Sequence, residues 1–221
     1  MMDLGAALSS PAMFGPWFSG PSWRRWKATI RAAYALRMTR TEAALFREVA
    51  DRDPPGQRAR ELWALPGRWS GKDSIASAIV GYEAASFDPA RLRPGERVLC
   101  ACLACDRQQA TIVLNYIRAF FTEIPALAAL VEDERQDGFR LRNSVDVAVS
   151  TNSYRSIRGR SILCAVLDEC AFYNTESTPN PDEELYRALK PGLLRVPGSI
   201  LIGISTPYAK RGLLYRKFTE H

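Results

Sequence analysis

The sequence lacks apolar runs long enough to cross a membrane, and its N-terminus lacks the features of an export signal. Its longest apolar stretches, such as "ILCAVL" and "SILIGI", are far shorter than the ~20 residues that span a bilayer. The N-terminus shows no charged region followed by an apolar region and a cleavage site. We therefore expect a cytoplasmic protein that has no membrane among its partners.

Histidine is almost absent, and cysteine is present in an odd number. The one histidine is the terminal His221. The cysteines are Cys100, Cys102, Cys105, Cys164 and Cys170. Disulfides are rare in the cytoplasm, so we expect free thiols. The "CACLAC" cluster could in principle hold zinc, but alternate residues of a strand face opposite sides and no fourth ligand is evident. We expect these cysteines to act as small buried hydrophobic residues.

Lysine is scarce among the basic residues, since only five of the 30 Lys and Arg residues are lysines. Against 24 acidic residues the formal net charge is +6, which permits a polyanionic partner without requiring one. Arginine suits phosphate recognition, but a GC-rich genome would enrich arginine in the same way. The length of 221 residues and the apolar content of 47% fit one globular domain with an appended arm.

Residues 1–60 differ in composition from the rest of the chain. All five tryptophans lie at or before residue 69, and "FGPWFSGPSWRRWKATIRAAYAL" mixes aromatic residues with turn formers before a helical stretch. The run from Thr41 to Val49 predicts a second helix, and "DRDPPG" marks a linker. We predict a helical N-terminal arm over residues 1–60. Its aromatic and arginine side chains could stack on nucleic-acid bases, although packing of the arm explains them better.

Residues 61–221 alternate short apolar stretches with helical patterns, which predicts an α/β domain with a mostly parallel sheet flanked by helices. The predicted strands cover residues 61–65, 97–103, 145–150, 161–167 and 199–204. The predicted helices cover residues 72–85, 107–121, 181–190 and 211–218.

The stretch "PGRWSGKDS" follows a predicted strand and opens a predicted helix, as a phosphate-binding loop does. Gly71 would let backbone amides close around phosphate oxygens, and Lys72 would reach the β and γ phosphates of a nucleotide. Pro66 and Asp73 depart from the pattern G-x4-G-K-[ST], so this loop alone is a weak match. The candidate nucleotide-binding residues are Gly67, Arg68, Trp69, Ser70, Gly71, Lys72, Asp73 and Ser74.

Two further predicted strands end in polar residues. "SILCAVLDEC" ends in Asp168 and Glu169, where the first acid could bind magnesium and the second could act as general base toward water. "SILIGISTP" ends in Ser205, Thr206 and Pro207, and such hydroxyls could sense a γ phosphate. Either strand end alone could simply be solvated.

Together, three strands that deliver a lysine, an acidic pair and a hydroxyl pair to one sheet edge predict nucleotide binding. An arginine could stabilise the charge that develops on the transferred phosphoryl group. Arg68, inside the loop, is the first candidate. Arg155, Arg158 and Arg160 are alternatives that could act from the same subunit or from a neighbour.

These residues together resemble the large terminase subunit of tailed bacteriophages, the ATP-driven motor that pumps DNA into a preformed capsid. The similar segments run from about residue 13 to the end and include "PPGQRARELWALPGRWSGKDS", "RVLCACLACDRQQA", "SYRSIRGRSILCAVLDECAF" and "ISTPYAKRGLLY". The resemblance implies a P-loop NTPase fold of the ASCE type, with Walker A and Walker B motifs.

The resemblance also implies a role for each matching residue. Arg68 and Lys72 become phosphate contacts of a catalytic site, Asp168 becomes the metal ligand, and Glu169 becomes the catalytic base. The segment Ser205–Pro207 would couple hydrolysis to DNA movement. The implied cofactors are ATP and Mg²⁺, and the implied partners are double-stranded DNA, the portal protein, the small terminase subunit and further copies in a ring. This motor would act in the host bacterial cytoplasm, transiently at the procapsid portal.

The sequence departs from the terminase pattern at two points. Asp73 stands where Ser or Thr is commonest, and its carboxylate could still ligate magnesium, which would make the site more dependent on the metal. The family's nuclease domain is not expected within these residues, so the chain could be an ATPase fragment, a truncated prophage gene or one half of a split gene. Two other functions stay open: a helicase-like motor, and an inactive remnant that binds nucleotide or partners. Trp63 and Gln57 are weaker candidates for contacts with the adenine base of the nucleotide.

Overall fold

A computed structural model describes residues 2–105, 107–151, 157–173 and 181–220 of the chain. The contacts between residues divide the chain into two units, Met1–Arg60 and Glu61–His221. The first unit is helical, and the second is built on a β-sheet. Within the described residues, no helix combines the length and the apolar character needed to cross a membrane.

The first unit contains three α-helices in its described residues: α1 (Leu4–Ala7), α2 (Arg24–Ala33) and α3 (Arg40–Ala50). A capping box starts α3, because the Thr39 side chain accepts a hydrogen bond from the Glu42 amide at 3.2 Å. In return, the Thr39 amide donates to the Glu42 carboxylate at 2.7 Å. The helix that the sequence predicted from Thr41 to Val49 is therefore confirmed.

Several aromatic residues of the first unit pack within it. Phe14 and Phe18 are fully buried, and the ring of Trp23 meets Phe18 edge to face at 4.7 Å between ring centroids. The Arg58 guanidinium lies 4.6 Å from the centroid of the Tyr34 ring. This packing accounts for part of the aromatic content that the sequence concentrates in the arm.

The second unit alternates strands with helices. Its strands are β1 (Glu61–Ala64), β2 (Val98–Ala104), β3 (Val131–Arg135), β4 (Gly138–Leu141), β5 (Val145–Thr151), β6 (Ser161–Asp168) and β7 (Ile200–Ile204). Its α-helices are α4 (Lys72–Ser86), α5 (Arg107–Glu123), α6 (Pro125–Ala128), α7 (Pro181–Arg195) and α8 (Gly212–Glu220). Short 3₁₀ turns cover Pro89–Arg91 and Cys170–Phe172.

The described strands form one sheet in the order β1-β7-β6-β2-β5-β4-β3. The pairs from β1 to β5 in this order are parallel, while β4 is antiparallel to both β5 and β3. The five predicted strands correspond to β1, β2, β5, β6 and β7, and the four predicted helices correspond to α4, α5, α7 and α8. The predicted α/β fold with a mostly parallel sheet is therefore confirmed.

The antiparallel hairpin of β3 and β4 was not predicted from the sequence. Four of the five residues of β3, which reads "VEDER", are exposed, so no apolar alternation marks it as a strand. A charged edge strand of this kind also discourages pairing with other chains. Its turn over residues 136–137 is too short to stand out as a loop in the sequence.

A glycine on β7 makes room for a tryptophan on the edge strand β1. Gly203 is paired with Trp63 in the sheet, and a Cβ atom at Gly203 would lie 2.1 Å from the Trp63 ring. The indole Nε1–H donates to the Glu61 carboxylate at 2.9 Å. Trp63, considered above as a base contact, therefore lies against the sheet and is hydrogen bonded there.

We expect Gly203→Ala to lower the free energy of unfolding by about 1–3 kcal/mol, because the methyl group would force the Trp63 ring out of its place. Gly56→Ala is the matched control, since a Cβ at Gly56 meets no atom within 4 Å. Urea unfolding of the three proteins measures the difference. Equal midpoints for native protein and Gly203→Ala would contradict the packing described here.

The first residue of β1 is the acceptor in a cluster of hydrogen bonds that joins β1 to α7 and α8. Glu61 Oε1 accepts from the Tyr186 hydroxyl at 2.7 Å and from Lys190 Nζ at 2.8 Å. Lys217 Nζ lies 3.1 Å from the other carboxylate oxygen, Oε2. Burial raises the pKa of Glu61, but the hydrogen bonds from Lys190, Trp63 and Tyr186 outweigh it and lower the pKa to about 2.

Because the pKa of Glu61 is lowered on folding, its stabilising contribution is complete above the unfolded value near 4.5 and is lost as the pH falls toward about 2. We expect Glu61→Gln to destabilise the protein at pH 7 by no more than about 3 kcal/mol, and the deficit to shrink by half or more at pH 3. Glu184→Gln, an exposed carboxylate on α7, should change stability by less than about 0.5 kcal/mol. A deficit that stays constant across urea titrations at both pH values would refute the assignment.

Candidate nucleotide-binding site

The loop between β1 and α4 is shaped for close approach of its backbone to a ligand. Gly71 caps α4 with φ +76°, a left-handed conformation that glycine adopts without strain. The Ile75 amide makes the first helical hydrogen bond, to the Gly71 carbonyl at 3.0 Å, so the amides before it have no acceptor within the helix. These amides and the positive end of the helix dipole form a site suited to an anion.

Trp69 is the most unusual residue of this loop. It has φ +60°, which is strained for a tryptophan, and its side chain is fully exposed. Gly67 and Arg68 beside it are exposed as well, whereas Ser70 and Ser74 are half-buried. The first half of the candidate loop therefore faces solvent, and the second half packs into the domain.

The Lys72 side chain meets three carboxylates where α4 begins. Its ammonium nitrogen lies 2.6 Å from Asp73 Oδ1, 3.2 Å from Asp168 Oδ1 and 3.1 Å from Glu169 Oε1. The carboxyl ends of parallel strands lie at the same edge of a sheet. Asp168 and Glu169, at the end of β6, therefore lie at the edge where β1 ends and the loop to α4 begins. The structure thus brings together the lysine and the acidic pair that the sequence singled out.

The end of β7 holds the second carboxylate oxygen of Glu169. The Ser205 hydroxyl donates to Glu169 Oε2 at 3.0 Å, the Thr206 amide at 3.2 Å, and the Thr206 hydroxyl at 3.4 Å. Ser205 is fully buried, and Pro207 after it is exposed. The hydroxyl pair therefore contacts Glu169 of the acidic pair directly, as expected for neighbouring strands β6 and β7.

Glu169 has a strained backbone, with φ +49°. The Phe172 amide donates to its carbonyl oxygen at 2.9 Å, and the Cys105 thiol lies 3.6 Å from the same oxygen. Cys105 was not identified as a site residue from the sequence. The signal for it was its place immediately after β2, the other neighbour of β6, so the strand-end argument applies to it too.

The electrostatics of the site follow from one ammonium among three carboxylates. Burial lowers the pKa of Lys72, but the hydrogen bond to Asp73 and the charge of Asp168 outweigh it, so this pKa lies above its usual range. For Asp168, burial dominates over the attraction of Lys72 and raises its pKa to about 6. Burial also raises the pKa of Glu169, yet its hydrogen bonds from Lys72 and Thr206 bring it below the usual value.

The donor set fits a magnesium ion that is shared with a phosphate ligand. Asp73 and Asp168 each direct a hard carboxylate oxygen at the Lys72 ammonium, so the two oxygens converge on one positive charge. Magnesium in nucleotide sites is held by one or two carboxylates together with waters and substrate phosphates. The described residues contain no group of three or more His, Cys, Asp or Glu side chains arranged to hold a metal by themselves.

Of the arginines considered for a catalytic role, Arg160 lies at the wrong end of the sheet to act on its own site. It precedes β6 and donates to Asp146 Oδ2 at 2.9 Å, whereas Asp168 ends the same strand. A strand rises about 3.3 Å per residue, so more than about 20 Å separates the two ends of β6. Arg68 and Arg158 are exposed, and Arg155 lies outside the described residues.

Comparisons with known proteins bear on the fold. No protein-family model and no curated protein matches the chain. The large terminase of bacteriophage HK97 superposes with a TM-score of 0.57 at 18% identity, over 88% of this chain and 40% of that protein. The ATPase domain of the Thermus phage P74-26 large terminase superposes with a TM-score of 0.53 at 20% identity, over 84% of this chain and 74% of that domain.

The chain therefore spans less than half the length of the HK97 large terminase. At 18–20% identity these matches speak to the fold alone. The resemblance that the motifs suggested agrees with them: the α/β fold of this chain is similar to the folds of the HK97 large terminase and of the P74-26 large terminase ATPase domain.

Proposed function

We propose that the chain is an ATPase of the terminase type, which hydrolyses ATP with Mg²⁺ and couples hydrolysis to the movement of double-stranded DNA. The observation that carries this proposal is the contact of Lys72 with both Asp168 and Glu169 at the start of α4. A phosphate-binding helix start, a metal-binding acid and a second acid for water activation are the parts that phosphoryl transfer to water requires.

The triphosphate would lie over residues 67–74, which form the loop before α4 and the first turn of that helix. The first-turn amides and the helix dipole would bind the phosphate oxygens, and the Lys72 ammonium would leave the carboxylates to contact the β and γ phosphates. Asp168 and Asp73 would hold Mg²⁺, which would neutralise the charge that develops on the phosphates. Arg68, exposed on the same loop, is our candidate for stabilising the γ phosphate, with Arg158 of a neighbouring copy as the alternative.

Glu169 would act as the general base toward the attacking water. Its lowered pKa keeps the carboxylate ionised near neutral pH, so it can accept a proton. Ser205 and Thr206 hold Oε2, which leaves Oε1 as the oxygen that is released when Lys72 turns to the phosphates. Because the same two residues begin the segment that leads to α8, a change at Glu169 would reach that segment, including Pro207.

The partners follow from the proposed motor role. We infer that copies of the chain assemble as a ring on a portal protein with the small terminase subunit, in the bacterial cytoplasm at the capsid. The ring would grip duplex DNA through its phosphates, without reading the base sequence. The fold shared with phage large terminases and the net charge of +6 support this assignment.

The proposal predicts different defects for two variants. Glu169→Gln should lower kcat for ATP hydrolysis by at least about 100-fold while ATP still binds, since it removes the base alone. Lys72→Ala should weaken ATP binding, because it removes the main phosphate contact. A coupled phosphate-release assay and a direct binding assay separate the two effects.

Glu134→Gln, an exposed carboxylate on β3, is the control and should keep the native rate. Duplex DNA should raise the rate of the native protein. Absence of turnover by the native protein at every magnesium concentration, or full activity of Glu169→Gln, would refute the ATPase proposal.

A further inference from the structure

Asp73 makes the shortest of the three contacts with Lys72. Its Oδ1 lies 2.6 Å from the ammonium nitrogen, against 3.1 Å and 3.2 Å for Glu169 and Asp168. Asp73 is the second residue of α4, so its carboxylate stands in the first helical turn, where the amides have no acceptor within the helix. A negative side chain is stabilised there by the helix dipole, as a bound phosphate would be.

The charges of the site do not balance without a further cation. One ammonium faces three carboxylates, so these four side chains carry a formal charge of −2 when all are ionised. A nucleoside triphosphate adds about four negative charges. To contact its phosphates, the Lys72 ammonium must leave the three carboxylates. The free nucleotide therefore meets both competition for the lysine and repulsion from the acids that it leaves.

The three carboxylates differ in what else holds them. Glu169 has the donors of Ser205 and Thr206 on its second oxygen, and Asp168 is buried with only 7% of its side chain exposed. The Asp73 side chain is 33% exposed, and the residue lies in the first turn of α4. Of the three, Asp73 is thus the one placed to repel the phosphates directly, or to attract a metal that accompanies them.

We propose that Asp73 makes the site selective for the metal–nucleotide complex, so that free nucleotide is rejected and binding depends on a divalent cation. This inference rests on the proposed nucleotide site. With the cation present, the Asp73 carboxylate becomes a ligand and no longer opposes the phosphates. A serine or threonine hydroxyl at this position would carry no charge and would not exclude the free nucleotide.

The test measures binding and does not need turnover. A fluorescent ADP derivative is titrated with native protein, Asp73→Ser and Asp73→Asn, once with MgCl₂ and once with EDTA. We expect the ratio of Kd in EDTA to Kd in MgCl₂ to be about tenfold larger for the native protein than for either variant, which corresponds to about 1.4 kcal/mol. The asparagine variant keeps the size of the side chain and removes only its charge.

Asp133→Ser is the matched control, because it removes one exposed carboxylate from β3, at the far end of the sheet. It should keep the native ratio. Ratios that agree within about twofold for native protein and both Asp73 variants would overturn the inference while leaving the nucleotide site in place. A different outcome is that none of the proteins binds the ADP derivative in MgCl₂, although their circular dichroism spectra show that they are folded. This result would instead refute the proposed function on which the inference rests.

Discussion

The Lys72 ammonium is the charge on which the arrangement of the candidate site depends. Asp168 is buried at the end of β6, where an isolated carboxylate would be costly, and the lysine offsets part of that cost. The same ammonium fixes one oxygen of Glu169, while Ser205 and Thr206 fix the other. Lys72 therefore connects the start of α4 to the end of β6, and Glu169 in turn connects this contact to the two residues that follow β7.

The placement of polar site residues at one edge of the sheet could be predicted from the sequence, because it follows from one topological rule. Buried parallel strands read as continuous apolar runs, and their carboxyl ends share an edge of the sheet, so "ILCAVLDE" and "ILIGIST" place their polar residues together. The rule needs no knowledge of side-chain geometry. Applied to the ends of β6 and β7, it identified Asp168, Glu169, Ser205 and Thr206, and it would also have identified Cys105 had the end of β2 been read in the same way. Lys72 was identified from the pattern of the loop that precedes α4.

What the sequence could not reveal depends on side chains that meet across long separations. Glu61 looks like an ordinary polar start to a strand, yet Tyr186, Lys190 and Lys217 converge on it from α7 and α8. The hairpin of β3 and β4 stayed hidden because its strand is charged and exposed, so the apolar pattern is missing. Arg160 was a candidate from the sequence, but it lies immediately before β6. The full length of that strand separates it from Asp168 at the other end.

The segment after Thr206 is fixed at both ends and exposed between them. At one end Ser205 and Thr206 bind Glu169, and at the other the Leu213 amide donates to the buried carboxylate of Asp182 at 2.6 Å. Lys217 then ties α8 to Glu61 at the start of β1. Residues 207–211 are exposed, and the Tyr208 ring lies against Phe172, three residues after Glu169, with 4.6 Å between the ring centroids. Under the proposed function, a change in the contacts of Glu169 during hydrolysis would therefore appear at the surface in this segment, where a DNA or protein partner could respond to it.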